Sequence, residues 1–198
     1  MRLDRIAVMA LLATTMVAEG VSGQATGTPT FFAPTRGFGS WEVGAALSRP
    51  GGGAVGLEVI YAAALDRADL QLRAGYIDLS GSADGTFVAG IETRIPVLGR
   101  TSDFPLDGAL ILGVGRAFGS GSGQTIVPVG LTIGRRLYLD GDALYLTPYA
   151  QPTVIFQDDA LFTLGLGLDV HVQGIPEIRV GRALGKLDGF SIALFWPR

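Results

Sequence analysis

The sequence predicts an all-β fold, a closed antiparallel up-and-down transmembrane β-barrel of about ten strands preceded by a signal peptide. Three observations predict it. First, segments of about ten residues alternate apolar with polar or small side chains, and turns rich in Gly, Asp and Pro separate them. In residues 161–172, Phe162, Leu164, Leu166, Leu168, Val170 and Val172 share one face, while Thr163, Gly165, Gly167, Asp169 and His171 share the other. Second, only 17% of residues are charged, and Lys186 is the single lysine among fifteen basic residues. A domain of this size that faced water everywhere would need more Lys and Glu on its surface. Third, the chain opens with an export signal.

That opening comes first in the order of elements. Met-Arg-Leu-Asp-Arg gives a basic start, and the apolar run of residues 6–18 is too short for a membrane helix, which takes about 20 residues. Cleavage is expected after Gly23 or after Ala25, giving a signal peptide over 1–23. A Gly/Thr/Pro-rich lead over 24–40 lacks periodicity and reads as a flexible periplasmic segment or a partial lumen plug. The barrel is expected over 41–198. Its strands are read at 41–48, 54–65, 69–79, 86–97, 106–118, 125–139, 143–156, 161–172, 177–184 and 190–196. Eight strands is the main rival count, because Pro148 and Pro152 fit poorly inside a ladder.

Parity then assigns faces. Trp41, Val43, Ala45 and Leu47 lie together, as do Val55, Leu57, Val59 and Tyr61. The opposite face carries Glu42, Glu58, Arg73, Glu92, Arg94, Arg136, Asp169, His171, Glu177 and Arg179. Nearly balanced charges on one face predict a lumen narrowed by ion pairs, because an unpaired charge there would be costly. Periodicity does not say which face points outward. A soluble lipocalin-like carrier, with its apolar face turned inward around a lipophilic ligand, is therefore the alternative. It would expose many strand glycines, which suit a crowded lumen better.

On this pattern the chain resembles the small bacterial outer-membrane β-barrel proteins, the OmpA-like and OmpX-like group. The resemblance covers residues 41–196, and its most specific part is the end, Phe190-Ser-Ile-Ala-Leu-Phe-Trp196, which looks like the group's C-terminal assembly signal. It departs from the group in ending Pro197-Arg198 instead of on the aromatic. The resemblance implies an outer-membrane location, both termini in the periplasm, and the barrel-assembly machinery and outer-membrane lipids as partners. Trp41 and Trp196 then sit at the periplasmic lipid interface, with Tyr138 and Tyr145 flanking a turn at the same rim. Arg116 and Arg182 fall toward the outer rim, where lipopolysaccharide phosphates or ordinary snorkelling are the two readings.

Signs of catalysis are sparse. Asp169-x-His171 places a carboxylate and the chain's single imidazole on one face, an arrangement in which the outer-membrane omptin proteases are similar. An enzyme using His171 is thus a second alternative, although lumen ion pairing with Arg136 or Arg179 explains the same residues. Outer-membrane lipid hydrolases carry a His-x-Ser motif, whereas here Val172 and Gln173 follow the histidine. Gly113-x-Gly115 and Gly165-x-Gly167 lie within strands and are not nucleotide loops. Asp140-Gly141-Asp142 reads as a tight turn, not a calcium loop. A net charge of −3 gives no electrostatic case for nucleic acid, and the absence of Cys excludes thiol chemistry. The expectation is a non-enzymatic protein with no cofactor and no metal, in a structural or narrow-pore role.

Overall fold

A computed structural model describes residues 24–51, 53–78, 85–119, 123–185 and 188–198. The expected signal peptide over 1–23 lies outside the described residues. The strands are β1 (Trp41–Pro50), β2 (Val55–Ala64), β3 (Asp69–Asp78), β4 (Thr86–Leu98), β5 (Asp107–Phe118), β6 (Thr125–Gly134), β7 (Leu137–Asp140), β8 (Leu144–Phe156), β9 (Ala160–Val172), β10 (Glu177–Gly185) and β11 (Gly189–Pro197). Every pairing between strands is antiparallel. The ring closes through β1 on β11, from Glu42↔Pro197 to Pro50↔Gly189. Segments β6 and β7 both pair with β8 and form one stave interrupted at Arg135 and Arg136, so the barrel has ten staves.

The alternative count of eight fails for a local reason. β8 pairs with β9 without a break from Leu144↔Val172 to Phe156↔Ala160. Its pairing with β6 instead skips from Gly130↔Thr153 to Ile133↔Ala150, across Pro152, and Pro148 uses only its carbonyl, which accepts from Arg135 N at 3.2 Å. Both prolines therefore turn their missing N–H groups toward the interrupted side, where no ladder bond is lost.

Which face points outward is now decided. Leu57 is 60% exposed and Val59 56%, whereas Glu58 between them is 1% exposed. The same alternation holds around the wall, leaving the apolar face outside and the charged face inside, the reverse of a lipocalin-like carrier. The residues leading into β1 meet the end of β11 at one rim, where the Arg198 carbonyl accepts from Gly39 N and Ser40 N at 2.9 and 2.7 Å. Among the described residues no helix is long and apolar enough to cross a membrane, which says nothing against crossing by strands.

The lead over 24–40 corrects one expectation. Instead of extending freely, its residues Gln24, Ala25, Thr26, Phe31, Phe32 and Ala33 are at most 2% exposed and lie inside the ring. The partial-plug reading describes it. The physical reason is room: ten staves enclose more cross-section than side chains alone fill, whereas an eight-strand barrel is about the size that side chains can pack.

Candidate functional site: a plugged, charge-paired lumen

Three charged clusters line the lumen, each assembled by parity within a stave and register between staves. The first spans β2, β3 and β4. Arg73 lies between Glu58 and Glu92 because Gly75 pairs with Glu58 and Gln71 with Glu92, each two residues from it along β3. Its Nη2 meets Glu58 Oε2 at 2.8 Å and its Nη1 meets Glu92 Oε2 at 2.8 Å, while Nε donates to Glu58 Oε1 at 3.0 Å. All three side chains are within 2% of full burial. The plug joins in: Thr28 Oγ1 donates to Glu58 Oε2 at 2.8 Å and accepts from Arg73 Nη2 at 3.1 Å, and Thr26 donates to Glu58.

The second cluster crosses β1, β9 and β10. Arg179 Nη2 contacts Glu42 Oε2 and Glu177 Oε1, each at 2.7 Å, and its Nε lies 3.4 Å from Asp169 Oδ2. The guanidinium carbon stands 3.8 Å from the centroid of the Phe195 ring, on which the group rests as a cation on a π face. His171 faces Glu177 and not Asp169: its Nδ1 is 3.7 Å from Glu177 Oε2, and its ring stacks on Tyr145 with centroids 4.4 Å apart. The Asp-x-His pair is thus divided between two partners and forms no orienting dyad. Tyr145 points into the lumen, where it is 6% exposed, so of the two rim tyrosines only Tyr138 faces outward.

Arg136 departs from the ion-pair reading. Among the described residues it forms an ion pair with no carboxylate. Its Nη2 donates to the Arg36 carbonyl at 2.7 Å, and its guanidinium carbon is 4.3 Å from the Tyr145 ring centroid. The interruption between β6 and β7 sets Arg136 against the plug, where its Nη2 also lies 3.5 Å from Thr35 Oγ1.

The third cluster was missed. Asp69, 1% exposed at the start of β3, receives Arg94 from β4 and Arg36 from the plug, the latter at 2.6 Å. Its parity with Gln71 and Arg73 was the available signal, but beside Asp66 and Arg67 it reads as turn chemistry. Arg94 also donates through Nη1 to the carbonyls of Ala33 at 2.6 Å and Thr35 at 3.3 Å.

Neutral wall groups complete the grip on the plug. Ser191 donates to the Pro29 carbonyl at 2.8 Å, Tyr149 to Phe31 at 3.1 Å and Thr132 to Phe32 at 2.9 Å. Carbonyls of an irregular segment inside a protein need donors, and here the wall side chains supply them. Strand glycines provide the clearance. A Cβ at Gly165 would lie 2.6 Å from the Phe31 ring and one at Gly90 2.8 Å from the Ala25 Cβ.

The remaining sequence-named residues lie at the rims. Trp41 and Trp196 are exposed at the rim where Ser40 meets Arg198, and Trp41 packs against Tyr61 with centroids 6.3 Å apart. Arg116 and Arg182 are exposed toward the opposite rim, Arg116 near the Phe118 ring at 5.8 Å and Arg182 paired with Asp188 at 3.1 Å. Asp140-Gly141-Asp142 is a turn: Gly141 has φ +51°, and Ala143 N donates to the Asp140 carbonyl at 3.0 Å.

No protein-family model and no curated protein sequence matches this chain. Among solved structures it is similar to a designed protein described as "De novo design of transmembrane beta-barrels", at 15% identity and a TM-score of 0.40, covering 81% of this chain and 97% of that one.

Proposed function

We propose that this protein is a non-enzymatic outer-membrane β-barrel whose lumen is closed at rest by ion pairs and by its own N-terminal lead. The observation that carries the reading is the outward apolar face. Leu47, Leu57, Val59, Leu72, Phe162 and Leu194 are 42 to 60% exposed, and neighbouring staves continue the band. In water such a band would keep apolar surface solvated at about 25 cal/mol per Å², whereas in lipid that cost vanishes. Closure of the ring fits the same reading, because in hydrocarbon every backbone group needs a partner and a closed ladder has no free edge.

The finer assignments belong to the same proposal. They are export through a cleaved signal peptide, insertion by the barrel-assembly machinery, kinship with the OmpA-like and OmpX-like group, and contact of Arg116 or Arg182 with lipopolysaccharide phosphates. Buried pairing of Glu42, Glu58, Glu92, Asp169 and Glu177 with arginines supports a structural role over catalysis, because each of these carboxylates is already engaged by a guanidinium. The test is fractionation of the native envelope with gel migration before and after boiling. The protein is expected in the outer-membrane fraction with a heat-dependent mobility shift. Recovery in the soluble periplasm without a shift would overturn the proposal.

A further inference from the structure

The plug and the wall are held by different kinds of bond. Staves are joined by backbone ladders. Residues 24–38 contain no strand, and among the described residues no backbone-to-backbone hydrogen bond ties that segment to the wall. What holds it is a set of side-chain contacts: clasps on its carbonyls and hydroxyls from Arg73, Arg94, Arg136, Thr132, Tyr149 and Ser191, the Thr26 and Thr28 hydroxyls donating to Glu58, and the Arg36–Asp69 ion pair.

The wall's own charges, by contrast, close without it. Arg73 keeps Glu58 and Glu92, Arg94 keeps Asp69, and Arg179 keeps Glu42 and Glu177. Moreover, the space the plug fills is built into the wall. Gly115 and Gly181 stand where any Cβ would run into the carbonyls of Ala25 and Pro29, and Gly90 and Gly165 make room for the Ala25 and Phe31 side chains. At those positions the wall has no side chain to fill the space once the segment is withdrawn.

We propose that residues 24–38 are a withdrawable plug, and that the barrel freed of it is a cation-conducting pore. The sign of selectivity follows from the charges left behind. Withdrawal removes Arg36 from Asp69, and around Arg179 the three carboxylates of Glu42, Asp169 and Glu177 face a single guanidinium. An acid-rich polar passage favours cations. The inference rests on the membrane-spanning reading above.

The experiment is single-channel recording of the full-length protein in planar bilayers, in a potassium chloride gradient. The wild type is expected to be nearly silent. Thr132→Val, Tyr149→Phe and Ser191→Ala together remove three clasps without removing a charged side chain, and should raise the open probability about a hundredfold. Gly165→Val, which pushes on the Phe31 ring from the wall, is a second route to the same opening. Ala25→Cys with Gly90→Cys, introduced into the loosened variant of a chain that has no natural Cys, should silence the pore when oxidised and restore it on reduction. Reversal potentials should lie on the potassium side. Silence of both inserted variants, openings that the disulfide leaves unchanged, or chloride selectivity would each overturn the plug proposal. Protein that fails to enter vesicles or to show the heat-dependent shift would overturn the membrane reading itself, which separates the two failures.

Discussion

Replacing Arg73 with Leu removes the guanidinium shared by the buried carboxylates of Glu58 and Glu92. The side chain is 0% exposed, and Glu58 and Glu92 are 1% and 2% exposed, so neither acid can turn to water for compensation. Three charge-assisted bonds between 2.8 and 3.0 Å are lost, together with the 3.1 Å bond to Thr28. Their separate values would sum to more, but removing the cation also removes its own desolvation cost. Breaking a buried pair from one side typically costs about 3 to 5 kcal/mol, most of it the penalty of the stranded charge. The assay is urea unfolding in lipid vesicles at pH 7, followed by the fluorescence of Trp41 and Trp196. Adding Glu58→Gln and Glu92→Gln to Arg73→Leu removes both stranded charges and should recover most of the loss. Arg182→Leu, at a pair that is 55% and 61% exposed, should stay within roughly 0.5 kcal/mol. A loss below about 1 kcal/mol for Arg73→Leu, or a triple variant no better than the single one, would refute the view that buried pairing organises the lumen.

Two further outcomes test the faces and the chemistry. Val59→Arg, on a residue 56% exposed between Ala45 and Ala74 in the ladder, should cost about 2 to 4 kcal/mol in vesicles if that face meets hydrocarbon. It is a cleaner probe than Leu166, which stands across from Arg182; cysteine scanning along β9 with bilayer-confined labels should mark Phe162 and Leu166 and spare Thr163 and Gly165. His171→Ala should leave peptide and lipid hydrolysis at background, as in the wild type, because the imidazole faces Glu177 and stacks on Tyr145. Any turnover that this substitution abolishes would bring the enzyme reading back.

Legibility of the candidate site was uneven, and the unevenness has local causes. Arg73, Glu58 and Glu92 could be placed on one face by counting in twos, but their meeting depends on Gly75 pairing with Glu58 and Gln71 with Glu92. Asp69 carried the same parity and was hidden by its turn-like neighbours. Arg136 shared the lumen parity of β6 in a continuous strand, yet the break before β7 turns it onto Tyr145 and the plug. Such pairings live between strands, where the order of residues along the chain is silent.

By itself the sequence determined the staves and the partition of side chains into two faces, because extended backbone alternates with a period of two whatever surrounds it. It also set the ends of the staves, through turn residues whose backbone preferences are local. Only the tertiary structure decided which face is the interior. That choice depends on how much volume a ring of ten staves encloses and on what can fill it. The aperiodic lead became the filler for the same reason: its carbonyls find donors from Thr132, Tyr149, Ser191, Arg94 and Arg136 on staves far apart in sequence, and its bulk fits where glycines leave the wall bare.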